Sequence, residues 1–549
     1  MGRYATSMES DLLCIGGGIA GLMAAIRAAE SGLSVIVAEK SDSRYSGAGA
    51  SGNDHFQCYI PEYHGNDIDA CIAELQSGQQ KTIRSMKFIR TWMERSYEVV
   101  RLWDEWGIPM KYNGHWEFAG HGMPGDKLNH LHYAGKNQKL VLTEQAVKRG
   151  VRIINRVMCY DILRDEQGAC GALGINTRTG EHVTFRAKAV FCGTGATMRL
   201  YPSATPANLF NTKTCPNNTG DGRAMAYRAG AEIASLEMPH TSCGPTYFVR
   251  GGKATWGGVL RYPSGRPAGP FVTRPDNKYG DPVCEIYQNL LIDCQAAGTG
   301  PIYMDCTGLN QEEVDYMCHW LDNENNTALL DELKREGIDI GTTPFEFRPY
   351  DHERNPHGGI LYDHNARTSL PGLYAGGDEF HGGISCAAVF GMIAGESAAA
   401  DCAGASLRLT DEETEITQLI DAFRTRPGGS RSATWQEVNH AVQQIMNDYA
   451  GAVRSETLLV AGLEGLTQVE EKARASLAAA NPHELARCVE VLNLMEVGKL
   501  LFCAARERKE SRGKQKRTDY PFTHPKLNKL LVFHRENGVP VSEWRSVGK

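Results

Sequence analysis

Short apolar runs and glycine-rich turns alternate over the first 40 residues. Residues 11–15 are apolar and strand-like, residues 16–21 are rich in glycine, and residues 22–30 consist of good helix formers. A second apolar run over 34–38 ends at the acidic residue Glu39. This order predicts a strand, a tight turn, a helix and a second strand, which together open an α/β domain.

The pattern changes three times further along the chain. Residues 140–200 return to strand-like runs, whereas 241–350 hold most of the irregular Pro, Gly and Trp positions, which favours an inserted domain. Strand and glycine signals resume at 372, and long amphipathic helices follow up to residue 505. The predicted boundaries are a first part of the α/β domain over 1–240, an inserted domain over 241–350, a second part of the α/β domain over 351–407 and a C-terminal helical domain over 408–549.

Composition narrows the class of protein. The 549 residues are 42% hydrophobic and 22% charged, which is typical of a globular chain, and the net charge of −7 excludes a global basic field for nucleic acid. No uncharged apolar run approaches the roughly 18 residues of a membrane span, and no secretory leader is evident, so we expect a cytoplasmic protein. The 16 cysteines form no C-x-x-C pair, so any redox chemistry needs another molecule to carry electrons in or out.

The turn over residues 16–21 has the spacing of a dinucleotide-binding fingerprint. Gly16 allows the tight turn, Gly18 lets the backbone approach a pyrophosphate, and Gly21 allows close packing of helix and strand. The helix N-terminus offers N–H groups to phosphate, and Glu39 can accept hydrogen bonds from ribose. This turn alone does not separate FAD from NAD.

Four further segments appear in the order known from one flavoprotein superfamily. They are a small-residue loop at 45–52, a TGDG helix with an AGA turn at 219–231, a GGI…PGLYAGGD stretch at 358–378 and an ESRG…RTDYP stretch at 510–521. With these segments the chain resembles the flavoprotein subunits of the fumarate reductase/succinate dehydrogenase superfamily, which includes L-aspartate oxidase and the adenylylsulfate reductase α subunit. The stretches at 46–48, 58–59 and 103–109 resemble the adenylylsulfate reductase branch most.

The resemblance implies an α/β fold, in which a Rossmann-like FAD-binding domain carries an inserted α+β capping domain and is followed by a C-terminal helical domain. Asp378 stands where many members have Glu, so the reach of its carboxylate is shorter. The family pattern assigns FAD contacts to Gly16, Gly18, Gly21, Glu39, Lys40, Ser46, Gly47, Ala50, Ser51, Gly52, Val157, Thr194, Gly195, Asp221, Gly377, Asp378 and Ser385.

Departures from the family pattern are as informative as the matches. Members with covalent FAD attach it through a histidine at the position of Tyr45, so we predict non-covalent FAD. The stretches 253–258 and 380–386 lack the two arginines that dicarboxylate reductases carry as proton donor and carboxylate clamp. Because a guanidinium fork suits a carboxylate, their absence argues against fumarate or succinate as substrate.

Candidate substrate-side groups are few. His240 resembles the substrate-binding histidine of the family, His357 lies near a second family histidine with offset spacing, and His381 lies near one of the missing arginines. In the inserted domain, cations could recruit an anion and an indole could stack on a planar group; these are Arg250, Lys253, Arg261, Arg266 and Trp256. We expect no metal site.

Three functions remain open at this point. The first is a cytoplasmic FAD oxidoreductase that reduces or dehydrogenates a small organic, anionic substrate and exchanges electrons with an iron–sulfur or ferredoxin-like partner. The second is a sulfur-compound reductase resembling adenylylsulfate reductase. The third is an electron-relay subunit of a larger complex without substrate turnover of its own. For none of the three functions do we expect a nucleic-acid partner or a segment that spans a membrane.

Overall fold

Short strands and longer helices alternate along the chain. The computed structural model describes residues 4–77, 85–120, 122, 127–205, 208–246, 248–250, 255–380, 382–408, 410, 414–429 and 432–547. The strands are β1 (Tyr4–Ile15), β2 (Val35–Glu39), β3 (His55–Gln57), β4 (Glu117–Phe118), β5 (His130–His132), β6 (Arg152–Asn155), β7 (Val157–Asp165), β8 (Gly168–Asn176), β9 (His182–Cys192), β10 (Ile233–Ala234), β11 (Pro239–His240), β12 (Cys243–Pro245), β13 (Val259–Arg261), β14 (Ile302–Asp305), β15 (Phe345–Pro349), β16 (Asn355–Pro356), β17 (Gly359–Ile360), β18 (Leu373–Ala375), β19 (Leu530–Glu536) and β20 (Val539–Arg545). The helices are α1 (Ile19–Glu30), α2 (Pro61–His64), α3 (Ile68–Ser77), α4 (Met86–Trp106), α5 (Gln138–Lys148), α6 (Asp221–Arg228), α7 (Val283–Ile286), α8 (Leu290–Ala296), α9 (Gln311–Asn323), α10 (Thr327–Glu336), α11 (Gly383–Cys402), α12 (Glu415–Thr425), α13 (Trp435–Ala450), α14 (Glu456–Ser476) and α15 (Pro482–Glu507).

The chain divides into two compact units, each built from separate segments. The first unit comprises Met1–Ala48, Leu142–His240 and Arg354–Gly548, and the second comprises Gly49–Val141 and Thr241–Glu353. The predicted boundaries differ from this division in two respects. Residues 49–141 join the inserted segment instead of the FAD-binding segment, and the C-terminal helices belong to the first unit instead of a separate one. The physical reason for the first difference lies in contacts within the second unit, such as the His132 and Trp320 rings, whose centroids are 4.5 Å apart.

A mostly parallel sheet forms the centre of the first unit. Strand β1 lies between β2 and β9, with Leu12 opposite Val35 on one side and Ala189 on the other. Strand β18 also pairs with β9 in parallel, with Leu373 opposite Val190. The sheet therefore brings the N-terminal fingerprint and the PGLYAGGD segment together, and the predicted strand–turn–helix–strand order of the N-terminus is confirmed.

Two helices of the first unit pack closely because glycines face the partner backbone. A Cβ at Gly391 of α11 would lie 2.3 Å from the Ala20 carbonyl oxygen of α1, and one at Gly395 would lie 2.5 Å from that of Ala24. Helix α11 is long and apolar enough by composition to cross a membrane, and 72% of its most apolar stretch is buried inside the structure. Its apolar surface is thus largely used in the core of this unit.

The C-terminal segment of the first unit adds helices and a hairpin. Helices α12–α15 confirm the predicted helical region, and strands β19 and β20 follow them. Strand β19 pairs with β10, with Phe533 opposite Ile233, and β10 also pairs with β17. This hairpin is absent from the sequence prediction.

The second unit has its own sheet and core. Strands β12, β15, β14 and β13 form a four-stranded sheet in that order, and β3, β5 and β4 form a three-stranded one. Its apolar cluster includes Trp256, Leu260, Met304, Met317 and Phe347, all buried. The α+β composition predicted for the inserted domain agrees with these elements.

Candidate functional site

The glycine turn after β1 leaves room above the start of α1. Gly16 has a φ of +97°, and a Cβ there would lie 2.5 Å from the Gly193 carbonyl oxygen, so only glycine fits. Gly18 precedes α1 without a side-chain cap, and a Cβ there would meet nothing closer than 3.7 Å. The protein itself therefore leaves space at Gly18, next to the N–H groups of the first helical turn. A diphosphate fits this cradle in both shape and charge.

Glu39 is held at the end of β2 by backbone donors. Gly17 N–H donates to Oε2 over 2.8 Å, and Ser41 N–H donates to Oε1 over 2.8 Å. The side chain is buried, and each carboxylate oxygen has a second lone pair. Glu39 is therefore fixed in place and still able to accept a ribose hydroxyl.

Lys40 and Asp221 form part of a buried ion network. Lys40 Nζ lies 2.7 Å from Asp221 Oδ2 and 3.0 Å from Glu490 Oε1, and Asn493 donates to Asp221 Oδ1 over 2.8 Å. Burial would lower the pKa of Lys40, but the carboxylates of Asp221 and Glu490 raise it above its usual value. The two predicted FAD residues Lys40 and Asp221 are thus paired with each other. Together with Glu490 they connect the end of β2 to α6 and α15.

Glu490 itself was not identified from the sequence. It accepts hydrogen bonds from Lys40, Arg199 and Arg487, and its side chain is 2% exposed. Burial would raise the pKa of Glu490, but these three cations hold it well below its usual range. Arg487 lies three positions before it on α15, but Lys40 and Arg199 come from distant segments, so the local sequence does not mark this residue as a centre of charge.

Thr194 is positioned by a buried carboxylate that the sequence reasoning also missed. Glu379 Oε1 accepts from the Thr194 N–H over 2.5 Å and from its hydroxyl over 2.6 Å, and the Gly222 N–H donates to that hydroxyl oxygen over 2.9 Å. Burial raises the pKa of Glu379 despite the opposing effects of Arg223 and Thr194. Arg223 in turn donates to the Asp378 carbonyl over 2.5 Å. Glu379 directly follows Asp378, the residue that the family motif assigns to FAD.

The other predicted FAD residues lie at element ends or in loops. In the first unit, the Ser46 hydroxyl is buried and has no hydrogen-bond partner among the residues that the structure describes, which leaves it for a ligand. In the second unit, Arg250 Nη1 donates to the Ser51 hydroxyl over 2.5 Å and Nη2 donates to the Gly52 carbonyl over 3.2 Å. Gly21 lies in α1, Gly47 and Ala50 in the loop of Ser46 to Gly52, Val157 at the start of β7, Gly195 after β9, Gly377 after β18 and Ser385 in the first turn of α11.

Two predicted substrate-side histidines meet in the first unit. His240 lies on β11, which pairs with β16, and His357 follows β16 directly. The centroids of the two imidazole rings are 5.4 Å apart, and the backbone N–H of His357 donates to the Met238 carbonyl over 2.7 Å. Both side chains are partly exposed. His381 lies outside the described residues.

The predicted groups of the inserted segment have separate environments. Arg261 Nε donates to Asp305 Oδ2 over 2.8 Å, so this cation is neutralised across β13 and β14. Arg266 is exposed and lies over the Tyr262 ring, 4.6 Å from its centroid. Lys253 lies outside the described residues.

Trp256 requires a correction. The side chain is 1% exposed, and its ring centroid lies 5.4 Å from that of Phe345 and 5.3 Å from that of Phe347. An indole enclosed in this way packs the core of the second unit and offers no face for a substrate. Packing against Phe345 and Phe347 therefore replaces the stacking on a planar group that the sequence suggested.

Comparisons with known proteins agree with this geometry. The family model described as FAD binding domain matches residues 11–391, and the one described as Fumarate reductase flavoprotein C-term matches residues 439–538. A fumarate reductase (CoM/CoB) subunit of Methanothermobacter marburgensis is 25% identical over 96% of this chain and 97% of that protein. The fumarate reductase flavoprotein subunit of Haemophilus influenzae is 24% identical over 82% of this chain and 80% of that protein.

Solved structures share the fold. Adenylylsulfate reductase from Archaeoglobus fulgidus has a TM-score of 0.82 at 19% identity, with 99% of this chain and 96% of that chain covered. Quinol fumarate reductase from E. coli has a TM-score of 0.81 at 20% identity, with 99% and 97% covered.

Proposed function

Because this chain belongs to the flavoprotein family of fumarate reductases and succinate dehydrogenases and is an FAD-dependent oxidoreductase, we propose that it reduces or dehydrogenates a small anionic organic substrate. We propose further that its electrons pass through an iron–sulfur or ferredoxin-like partner. The relatives named above are subunits of fumarate reductases, which supports a role within a complex.

When bound, FAD supplies the two-electron chemistry, and the protein binds and orients it. Gly16, Gly18 and the first turn of α1 hold the diphosphate, and Glu39 accepts from the ribose. Thr194, fixed by Glu379, keeps the loop after β9 in one conformation. Because Tyr45 stands where covalent members carry histidine, FAD is held without a covalent bond in this proposal.

The observation that carries the substrate proposal is the pairing of His240 with His357, 5.4 Å apart between ring centroids. Two imidazoles at this distance can bind one anionic group from two sides and donate N–H hydrogen bonds to it. The two family arginines are missing from residues 253–258 and 380–386. This favours a substrate with one anionic group over a dicarboxylate.

The test is anaerobic reoxidation of the dithionite-reduced holoenzyme, followed by flavin absorbance, with fumarate, crotonate, crotonyl-CoA and adenylylsulfate as probes. We expect crotonate or its thioester to reoxidise the flavin faster than fumarate. His240→Gln and His357→Gln should each raise the KM for that probe about tenfold or more, which corresponds to about 1.4 kcal/mol of lost binding. His534→Gln is the matched control, since this histidine lies on the β19 hairpin strand next to Glu536.

Each outcome has a distinct meaning. Fumarate as the best probe would refute the argument from the missing arginines. A sulfite-dependent change of the flavin spectrum together with reaction of adenylylsulfate would favour the sulfur-compound reductase. No turnover with any probe, combined with rapid electron exchange with a reduced ferredoxin, would favour the electron-relay subunit.

A further inference from the structure

Glu379 of the first unit has a carboxyl group whose two oxygens lie in unequal surroundings. Oε1 accepts hydrogen bonds from the N–H and the hydroxyl of Thr194, and Cys192 Sγ lies 3.8 Å from it. Oε2 is buried and has no hydrogen-bond partner in the described part of the chain, and the residue is 0% exposed. A buried carboxylate oxygen without a partner is costly, and protonation removes its charge. These surroundings therefore favour the neutral acid, and burial raises the pKa of Glu379 accordingly.

A buried cation acts on Glu379 without contacting its carboxylate. The guanidinium of Arg223 donates to two uncharged acceptors, the Thr197 hydroxyl and the Asp378 carbonyl. Its Nε has no hydrogen-bond partner among the described residues. Burial lowers the pKa of Arg223, and the carboxylates of Glu379 and Asp378 oppose this effect from a longer distance. Arg223 therefore carries a buried positive charge that a further anion can use.

Three other ionisable groups lie near Glu379. Asp221 of α6 disfavours its charged form, although Asp221 itself is paired with Lys40 Nζ over 2.7 Å. Cys192 of β9 is an uncharged thiol, because burial raises its pKa well above the usual value. Asp378 precedes Glu379 directly and is half-buried, so the buried guanidinium is shared by two carboxyl groups. An additional negative charge nearby thus favours the protonated form of Glu379.

This group borders the diphosphate cradle at two points. A Cβ at Gly16 would lie 3.3 Å from Thr194 Cα, so the residue that binds Glu379 packs against the first glycine of the turn. A Cβ at Gly377, two positions before Glu379, would lie 3.4 Å from Ala20 Cβ in the first turn of α1. Thr194 is partly exposed, whereas Glu379 is enclosed by protein atoms. A dianionic diphosphate in this cradle therefore acts on Glu379 through protein instead of water, where charges interact more strongly.

We propose that Glu379 takes up a proton from solvent when FAD binds and that the charge of Arg223 is then left for the diphosphate. At a pH above the pKa of Glu379, its ionised carboxyl partly neutralises Arg223 in the FAD-free protein. The two negative charges of the diphosphate favour the neutral acid, and Oε1 still accepts from Thr194 in that form. No bond of FAD forms or breaks in this step, and the step is independent of the substrate. Glu379 and Arg223 are thus positioning residues for the coenzyme.

The test is calorimetric titration of FAD into the stripped, full-length protein in buffers that differ in ionisation enthalpy. The dependence of the observed heat on that enthalpy gives the number of protons taken up. We expect net uptake between about pH 5.5 and 8.5, where FAD itself does not titrate, and a Kd that rises by up to about tenfold per pH unit in that range. No uptake anywhere in this range would overturn the proposal.

Glu379→Gln mimics the neutral acid and cannot take up the proton. Its Kd should equal the low-pH Kd of the unaltered protein and should stay within about twofold of that value as the pH rises. Glu144→Gln is the matched control, because Glu144 lies on α5 of the same unit and its side chain is 64% exposed. This control should take up as many protons as the unaltered protein. Equal uptake in Glu379→Gln would assign the proton to another group and overturn the proposal.

The role of Arg223 has a separate test. Arg223→Gln should weaken FAD binding about tenfold or more at every pH, because the diphosphate loses a buried cation. Arg223→Lys keeps the charge and should retain more of the affinity, although its ammonium cannot reproduce both donor arms of the guanidinium. Circular dichroism of each stripped variant shows whether it is folded. A folded Arg223→Gln variant with the affinity of the unaltered protein would overturn the role of this residue.

A second measurement on the unaltered protein does not depend on a folded variant. In the infrared difference spectrum of FAD-bound minus FAD-free protein near neutral pH, the carbonyl stretch of a protonated carboxylic acid should appear. Labelling the protein with ¹³C-carboxyl glutamate should shift this band and so distinguish it from the flavin carbonyls. A difference spectrum without such a band, or a band that persists in Glu379→Gln, would overturn the proposal.

Discussion

The space at Gly18 gives a sharp test of the FAD cradle. Gly18 has a φ of −73°, and a Cβ there would meet only the Gly193 carbonyl oxygen, at 3.7 Å, which is ordinary contact. Gly18→Ala should therefore leave the stability of the FAD-free protein within about 1 kcal/mol of its original value. If the diphosphate lies against Gly18, the added methyl overpacks the complex by about 1–3 kcal/mol. That cost corresponds to about 5- to 150-fold weaker FAD binding.

Gly21→Ala is the contrasting variant. A Cβ at Gly21 would lie 1.9 Å from the Gly16 carbonyl oxygen, and a backbone atom cannot move aside as a flexible side chain can. We expect this variant to lose about 3 kcal/mol or more of stability even without FAD. The assay combines thermal unfolding of the stripped proteins with FAD titration by fluorescence quenching. Unaltered FAD affinity in Gly18→Ala, or equal destabilisation of the two stripped variants, would refute the reasoning.

Three further predictions concern buried charge and the flavin linkage. Glu490→Gln leaves three cations without their buried carboxylate and should lower the free energy of unfolding by about 3–5 kcal/mol, whereas the exposed Glu94→Gln should cost about 0.5 kcal/mol or less in the same thermal melts; equal losses would contradict the role of burial. Acid precipitation of the holoenzyme should leave the flavin in the supernatant, because Tyr45 offers no histidyl attachment; a yellow pellet would disprove this. Glu379→Gln keeps an acceptor for Thr194. Since burial raises the pKa of Glu379, the folded state binds more protons than the unfolded state, and the unaltered protein loses stability as pH rises above about 4.5. The melting temperature of Glu379→Gln minus that of the unaltered protein should therefore increase from pH 5 to pH 8. A decrease in this difference would show that the pKa of Glu379 is not raised in the folded state.

The dinucleotide turn could be predicted from the sequence because its determinants are local. Glycine positions, the start of α1 and the acidic end of β2 all lie within residues 11–39, and family motifs supplied the order of the remaining segments. The hairpin of β19 and β20 also had a local signal, since Asn537 and Gly538 both adopt positive φ in the turn and form the Asn-Gly pair typical of a tight hairpin.

The groups that were missed depend on distant partners. Glu490 lies 450 positions from Lys40 and 291 from Arg199, so the sequence around it, which holds Arg487 alone of its three cations, does not show that they converge on its carboxylate. Trp256 is flanked by residues typical of a loop, yet Phe345 and Phe347 enclose it. Asp54 follows a recognised loop, but its contact with the Thr255 hydroxyl, 201 positions away, has no local signal.

The interleaved segments of the two units have a consequence for synthesis on the ribosome. The nascent N-terminus cannot complete its central sheet until Leu373–Ala375 has emerged to pair with β9, and the second unit lacks β15 until residue 349 has been translated. Because translation proceeds at about 5–20 residues per second, roughly 20–70 seconds pass between the synthesis of the glycine turn and that of these partners. Coenzyme capture is therefore a late event, and truncated chains that end before this point should depend on chaperones for solubility.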